Sequence, residues 1–206
     1  MALCIVSCGI FQPELEKLLP EIGRELNCEL EIGFVPPALH VDYKKLAEGI
    51  YLGLERFTGR NVLMLYGSMC HPDLPNMMKD VGALYLKAGN CIDAMVSPES
   101  KAEFEKKYGK LFYMTAGWLR YWRDIFQKGM GWDTIDARMN MGFYDQVIVL
   151  DSGIYEISDE ELIEFYEFTQ VPVDVEPITL DYFRGVLLGL CADALSRIGE
   201  TECIPA

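Results

Sequence analysis

A short apolar run that stops abruptly at a polar turn constrains the fold of this chain most strongly. Residues 61–66 read Asn-Val-Leu-Met-Leu-Tyr, and Gly-Ser-Met-Cys-His-Pro follows at once. An apolar run of about four to eight residues bounded by turn residues is typical of a strand covered on both faces. Gly67 permits a sharp turn, so Cys70 and His71 are expected just beyond the carboxyl end of this strand. Open α/β sheets bind their ligands at that end.

Similar apolar runs recur along the chain and alternate with segments that have helical spacing. This alternation predicts a doubly wound, Rossmann-like α/β fold with a mostly parallel sheet flanked by helices. A chain of 206 residues can bury one core of this kind, so a single α/β domain over residues 1–206 is expected. The other predicted strands cover residues 2–7, 29–35, 83–87, 110–114, 145–150 and 171–175.

The charge and the beginning of the chain exclude several classes of function. A formal net charge of −14, without clusters of Lys and Arg, argues against nucleic acid and against an anionic membrane surface. The first residues have no basic leader, and their apolar run is too short for a signal peptide or a membrane span, so a cytoplasmic protein is expected. Seven cysteines, an odd number, then favour metal binding, catalysis or simple burial over disulfides.

Four thiol and imidazole side chains follow the first four predicted strands. They are Cys8, His40, Cys70 and Cys91. Neighbouring strands lie about 4.8 Å apart, so the carboxyl ends of a parallel sheet would bring these groups together. Thiolate and imidazole are ligands of zinc, which takes four of them in a structural site or three plus an open position in a catalytic one. The three cysteines alone would also suit an iron–sulfur cluster.

Simple burial remains the alternative, because isolated cysteines usually behave as small hydrophobes. That interpretation is preferred for Cys4, Cys28 and Cys191, which lie within apolar or helical runs. His71 is a second possible ligand, or an acid or base beside the metal.

Other residues at the strand ends can be given either a functional or a structural role. Thr115, Gly117 and Trp118 offer a hydroxyl, a flexible backbone and an indole, which would hold a planar cofactor or simply pack. Asp151 would orient a ligand or cap the following helix. The turn after the first strand lacks a Gly-X-Gly-X-X-Gly sequence and no Walker A motif is present, so ordinary nucleotide binding has little support.

Several short motifs, taken in order, resemble the bacterial and archaeal family known as domain of unknown function 1638. The resemblance covers nearly the whole chain and keeps the predicted ligands, although His71, Asn90 and Ala116 stand where the family usually has Gly, Asp and Pro. Members often occur beside corrinoid-dependent methyltransferases, so the resemblance implies a role near methyl or corrinoid metabolism. The motifs are Leu39-His40, Tyr66-Gly67-Ser68-Met69-Cys70, Asn90-Cys91 and Thr115-Ala116-Gly117-Trp118.

The leading expectation is therefore a metal-binding protein with a Cys/His site at the carboxyl ends of its strands. If it is an enzyme, the first reaction to consider is metal-dependent methyl transfer to or from a corrinoid or a thiol. The alternatives are a non-catalytic metal or corrinoid carrier, an iron–sulfur protein, and a metal-free ligand-binding protein. The expected partner is a small molecule or a corrinoid protein.

Overall fold

A computed structural model describes residues 2–202, apart from the side chains of His40 and of residues 199–202. The first half of the chain forms a parallel sheet in the strand order β2-β1-β3-β4. Its strands are β1 (Ala2–Cys8), β2 (Glu29–Val35), β3 (Val62–Leu65) and β4 (Leu84–Tyr85). The helices between them are α1 (Gln12–Glu25), α2 (Tyr43–Glu55) and α3 (Leu74–Val81).

The second half forms a separate parallel sheet in the order β5-β6-β7. Helices α4 (Cys91–Met95) and α5 (Pro98–Tyr108) lead to it from the first sheet. Its strands are β5 (Leu111–Thr115), β6 (Gln146–Asp151) and β7 (Val173–Pro177). Around it lie α6 (Ala116–Arg120), a π-helical segment (Arg123–Gly129), α7 (Thr134–Met141) and α8 (Asp159–Thr169).

The last helix, α9 (Asp181–Glu202), returns from β7 to the first half, where it contacts α1, α4, β1 and β4. Phe183 of this helix stacks on Phe11, with ring centroids 5.0 Å apart. A second contact joins the halves where the Ser152 hydroxyl donates a hydrogen bond to Glu14 Oε1 at 3.1 Å. Within residues 2–202, no helix combines the length and the apolar character that a bilayer span requires.

The parallel α/β class predicted from the sequence is confirmed, but the strands are divided between two sheets rather than gathered in one. Strand β4 is only two residues long, so it offers little backbone for a further strand to pair with. The next strand, β5, therefore begins a new sheet. The central strands of both sheets are buried, as their apolar sequences indicate.

Local hydrogen bonds explain where several helices begin. Asp42 accepts from the backbone N–H groups of Lys44 and Lys45, and Ser158 forms a capping box with Glu161. An Asp before a helix, and a Ser three residues before a Glu, are sequence patterns typical of such caps. Helix α7 begins with a capping box at Asp133 that the apolar spacing did not indicate. Short polar caps thus fix helices whose hydrophobic pattern is weak.

Candidate functional site

The first sheet brings Cys8 and Cys70 to one edge. Strands β1 and β3 are neighbours, and Ser7 is paired with Leu65, so Cys8 and Tyr66 come next at the same level. The chain then turns, with the Cys70 N–H donating to the Gly67 carbonyl at 3.0 Å. The predicted convergence of these two cysteines follows from this strand order.

The turn that carries Cys70 packs directly against the loop that precedes Cys91. The N–H groups of Ser68 and Met69 donate to the carbonyls of Ala88 and Gly89, at 3.0 and 2.8 Å. At Gly67 the backbones are so close that a Cβ atom would lie 2.4 Å from the Gly89 oxygen. Only glycine fits at position 67. The contact between Gly67 and Gly89 places the turn that carries Cys70 beside the loop that precedes Cys91.

Cys91, which was predicted to follow the fourth strand, is the first residue of helix α4. The Asn90 side chain caps this helix, because its Oδ1 accepts from the N–H groups of Ile92 and Asp93 at 2.9 and 3.0 Å. Strand β4 ends at Tyr85, and the loop that follows delivers Cys91 to the same edge.

The second sheet contributes Thr115, Gly117 and Trp118. Thr115 Oγ1 accepts from the Trp118 backbone N–H at 3.2 Å, which starts helix α6. A Cβ at Gly117 would lie 2.3 Å from the Ile10 carbonyl oxygen, so this turn touches the turn after β1. The Trp118 indole Nε1–H then donates to Cys91 Sγ at 3.3 Å. The indole of the second sheet therefore packs against the thiols of the first sheet.

Cys8, Cys70, Cys91 and Trp118 line a cavity of about 200 Å³, which we call the thiol cavity, whereas Thr115 and Gly117 lie outside its described lining. Three thiols and four aromatic rings line it, and its described lining contains no charged side chain. The thiols belong to Cys8, Cys70 and Cys91, and the rings to Phe11, Tyr43, Tyr66 and Trp118. The cavity therefore offers soft donor atoms within apolar walls.

The thiols of the cavity are protonated near neutral pH. Desolvation raises the pKa of Cys8 to about 11 and that of Cys91 to about 12, although the Trp118 N–H favours the Cys91 thiolate. Desolvation also raises the pKa of Cys70. A negative charge on Cys70 raises the pKa of both other thiols. Ionising the three together therefore requires a compensating cation.

Tyr66 is a member of this site that the sequence analysis missed. Its side chain is 2% exposed, and burial raises the pKa of its hydroxyl well above the usual value. The neighbouring Cys8 raises this pKa further. The hydroxyl lies beside that thiol but makes no well-formed hydrogen bond with any described residue. Its position directly after strand β3, before the cysteine turn, is the sequence signal that would have found it.

The predicted metal ligands are brought together only in part. Cys8, Cys70 and Cys91 share the thiol cavity. His40 lies in the 3₁₀ segment Pro37–Val41, and its side chain is outside the described residues. Among the side chains that the structure describes, no three or more of His, Cys, Asp and Glu are arranged to hold a metal ion as they stand.

His71 and Asp151 make local hydrogen bonds outside the described lining of the thiol cavity. His71 is buried, its Nδ1 accepts from the Asp73 N–H at 3.1 Å, and its ring meets Tyr43 edge-on at 5.5 Å. Asp151 Oδ1 accepts from the Gly153 N–H at 2.7 Å in the turn after β6. Both side chains stabilise turns, and their catalytic roles stay predictions.

We expect the metal-free protein to lose stability as the pH rises above 9. The pKa of Cys8 is raised from 9.0 to about 11 in the folded state, so its stabilising effect is complete below pH 9 and is lost as the pH approaches 11. Between pH 8 and pH 10 this one thiol should cost about 1 kcal/mol. Urea unfolding with reductant and chelator at both values measures the loss, which Cys8→Ser should reduce. An equal loss in that variant would contradict the assignment.

Two solved structures are similar to this chain at low sequence identity. One, with a TM-score of 0.49 and 10% identity, covers 95% of this chain and 84% of its own. It is an ABC domain from Streptococcus pneumonia in complex with L-Trp. The other, with a TM-score of 0.35 and 14% identity, covers 86% of this chain and 73% of its own. It is a carbohydrate transporter from Acidothermus cellulolyticus 11B in complex with myo-inositol.

The family comparison agrees with the motifs at the strand ends. A search of curated proteins gives no significant match. The family model described as "Protein of unknown function (DUF1638)" matches residues 34–187, a range that contains Cys70, Cys91 and the Thr115 to Trp118 turn. Because the match extends over most of the sequence, the chain belongs to the DUF1638 family.

Proposed function

We propose that this protein binds a thiophilic metal ion, with zinc the first candidate, through Cys8, Cys70 and Cys91. The observation that carries the proposal is the grouping of three thiols in one cavity whose described walls contain no charged side chain. Each thiol resists ionisation there because of desolvation, and Cys8 and Cys91 do so also because of a neighbouring thiol. A soft cation offsets both effects, since thiolates are preferred ligands of zinc and of iron–sulfur clusters.

The chemistry of the donor set fits such an ion. Zinc held by three protein ligands keeps a fourth position open for water or substrate. The N–H of Trp118 on the Cys91 sulfur is the kind of outer hydrogen bond that orients a metal ligand. Because the thiols are not arranged around a common point as they stand, binding requires them to rotate about their Cα–Cβ bonds.

The size of the thiol cavity limits the substrate. Sites for drug-sized ligands span about 300–1,000 Å³, whereas this cavity has a volume of about 200 Å³. A whole corrinoid exceeds that space, so a corrinoid would act from a partner protein at the mouth of the cavity. We propose methyl transfer involving a thiol as the reaction to test first, with only the reacting end of the substrate inside.

Metal carriage without catalysis is the second candidate. The observation that favours it is the position of His71 and Asp151, which make local hydrogen bonds outside the described cavity lining. A carrier needs no general acid or base, whereas most hydrolytic reactions do. Turnover of a methyl donor by metal-loaded protein would separate the two functions.

Elemental analysis with an absorption spectrum tests the proposal on protein purified without oxygen or added metal. We expect about one zinc ion per chain and no visible absorbance. The Cys70→Ser variant should lose most of the metal, because it removes one of three ligands. Cys28→Ser is the matched control, since Cys28 lies in the turn between α1 and β2 and should keep full occupancy.

Each contrary result has a definite meaning. Full metal occupancy in Cys70→Ser would show that Cys70 is not a metal ligand. Iron with broad visible absorbance would mean that the three cysteines hold an iron–sulfur cluster and not zinc. Reproducibly metal-free wild-type protein, which also takes up no zinc when it is supplied, would overturn the proposal.

A further inference from the structure

The Tyr66 hydroxyl at the thiol cavity lies beside the Cys8 thiol, which is only a weak acceptor. The side chain is 2% exposed, and its oxygen has no hydrogen-bond partner of normal geometry among the described residues. Buried polar groups in native proteins are nearly always paired, so an unpaired hydroxyl at a cavity wall needs an explanation. A ligand that accepts its hydrogen bond would supply one.

The neighbours of this hydroxyl indicate where that ligand sits. Tyr66 interacts electrostatically with both Cys8 and Cys70, so its oxygen faces the thiols. A thiol sulfur is only a weak acceptor. The indole N–H of Trp118 is already used by Cys91. The phenol therefore remains as a donor beside Cys8 and Cys70.

Volume and polarity restrict the ligand further. A water molecule occupies about 30 Å³ in the liquid, so a cavity of about 200 Å³ holds an ion and only a few more heavy atoms. Ile10, Phe11 and Leu65 supply apolar walls suited to a short alkyl group. The described lining has no Lys or Arg, so it favours a ligand that brings no extra negative charge to a metal ion already held by three thiolates.

We infer that the thiol cavity has a further ligand position for a short alkyl thiol, whose sulfur accepts a hydrogen bond from Tyr66. This inference rests on the proposed metal site and names its substrate class. The sulfur of the ligand can bind a soft metal ion and accept the single hydrogen bond that Tyr66 offers. Its alkyl group can pack against the apolar residues of the cavity. Tyr66 is then a residue that determines ligand binding and not a metal ligand.

Cobalt-loaded protein provides the test, with ethanethiol as the probe. Cobalt(II) substituted for zinc gives visible bands that change when a sulfur ligand enters its coordination sphere, so both metal content and ligand affinity are read from one titration. Tyr66→Phe removes only the hydroxyl and should keep one cobalt per chain while binding ethanethiol about tenfold more weakly. Tyr43→Phe is the matched control, because its ring also lines the cavity but its side chain is 56% exposed.

A second measurement needs no metal. Since Tyr66→Phe removes a buried donor without a partner, the metal-free variant should unfold at the same temperature as the wild type or a higher one. A clear fall would show that the protein already satisfies this hydroxyl and would overturn the inference.

The remaining outcomes separate this inference from the metal proposal. If the wild type binds cobalt but ethanethiol leaves its spectrum unchanged, the ligand position is absent and the metal site stands. Equal ethanethiol affinity in the wild type and Tyr66→Phe would remove Tyr66 from the site. Failure of the wild type to bind cobalt or zinc would overturn both proposals.

Discussion

Replacing Gly67 by alanine is expected to destabilise the protein by about 3 kcal/mol or more. The added Cβ would lie 2.4 Å from the Gly89 oxygen and 2.6 Å from its carbonyl carbon. Both are backbone atoms, so no flexible side chain can move aside. The turn that carries Cys70 and the loop before Cys91 must separate, and the metal content should fall with the stability. Urea unfolding and elemental analysis measure the two effects.

Gly189 provides the control for this substitution. It lies exposed within helix α9, and a Cβ there would meet no atom within 4 Å. Gly189→Ala should stabilise the protein by about 0.5 to 1 kcal/mol, because alanine loses less backbone entropy in a helix. If Gly67→Ala were tolerated as well as Gly189→Ala, the close contact of the two loops would be wrong.

Zinc binding at pH 7 should release about three protons per ion. The pKa values of Cys8 and Cys91, about 11 and about 12, and the raised pKa of Cys70 mean that all three thiols are protonated before zinc binds. Each must lose its proton to become a ligand. Calorimetry in buffers of different ionisation enthalpy gives the number released.

The same binding should stabilise the fold strongly. Free zinc at about a thousand times its dissociation constant adds about 4 kcal/mol to the free energy of unfolding. Cys70→Ser should release about two protons and gain less stability, because one thiol is missing. Release of no proton in the wild type would mean that zinc binds elsewhere on this acidic chain.

The pairing of Cys8 with Cys70 could be predicted because it depends on local sequence and a simple rule of topology. Each cysteine follows a short apolar run, and the carboxyl ends of parallel strands lie along one edge of a sheet. Here β1 and β3 are neighbours, so two turns separated by many residues meet at one edge. The capped helices at Asp42 and Ser158 were predictable for the same reason, since their hydrogen bonds are local.

The sequence marked Trp118 as a candidate, but such patterns could not predict its contact with Cys91. Trp118 lies 27 residues beyond Cys91, and its spacing with Trp122 equally suits a buried helix face. The aromatic spacing over residues 119–128 is typical of one helix, but α6 ends at Arg120 and a π-helical segment follows. The unpaired hydroxyl of Tyr66 depends on tertiary packing, which periodicity does not reveal.

The contact of Gly117 with Ile10 would couple the affinity of the proposed metal site to the docking of the two sheets. Trp118 reaches Cys91 only while the turn after β5 stays against the turn after β1. Two equilibria that share one contact are coupled reciprocally, so an ion that favours the docked arrangement is itself bound more tightly by it, and by the same factor. Selection for tight metal binding would therefore act on residues throughout the second sheet, including those that never approach the ion.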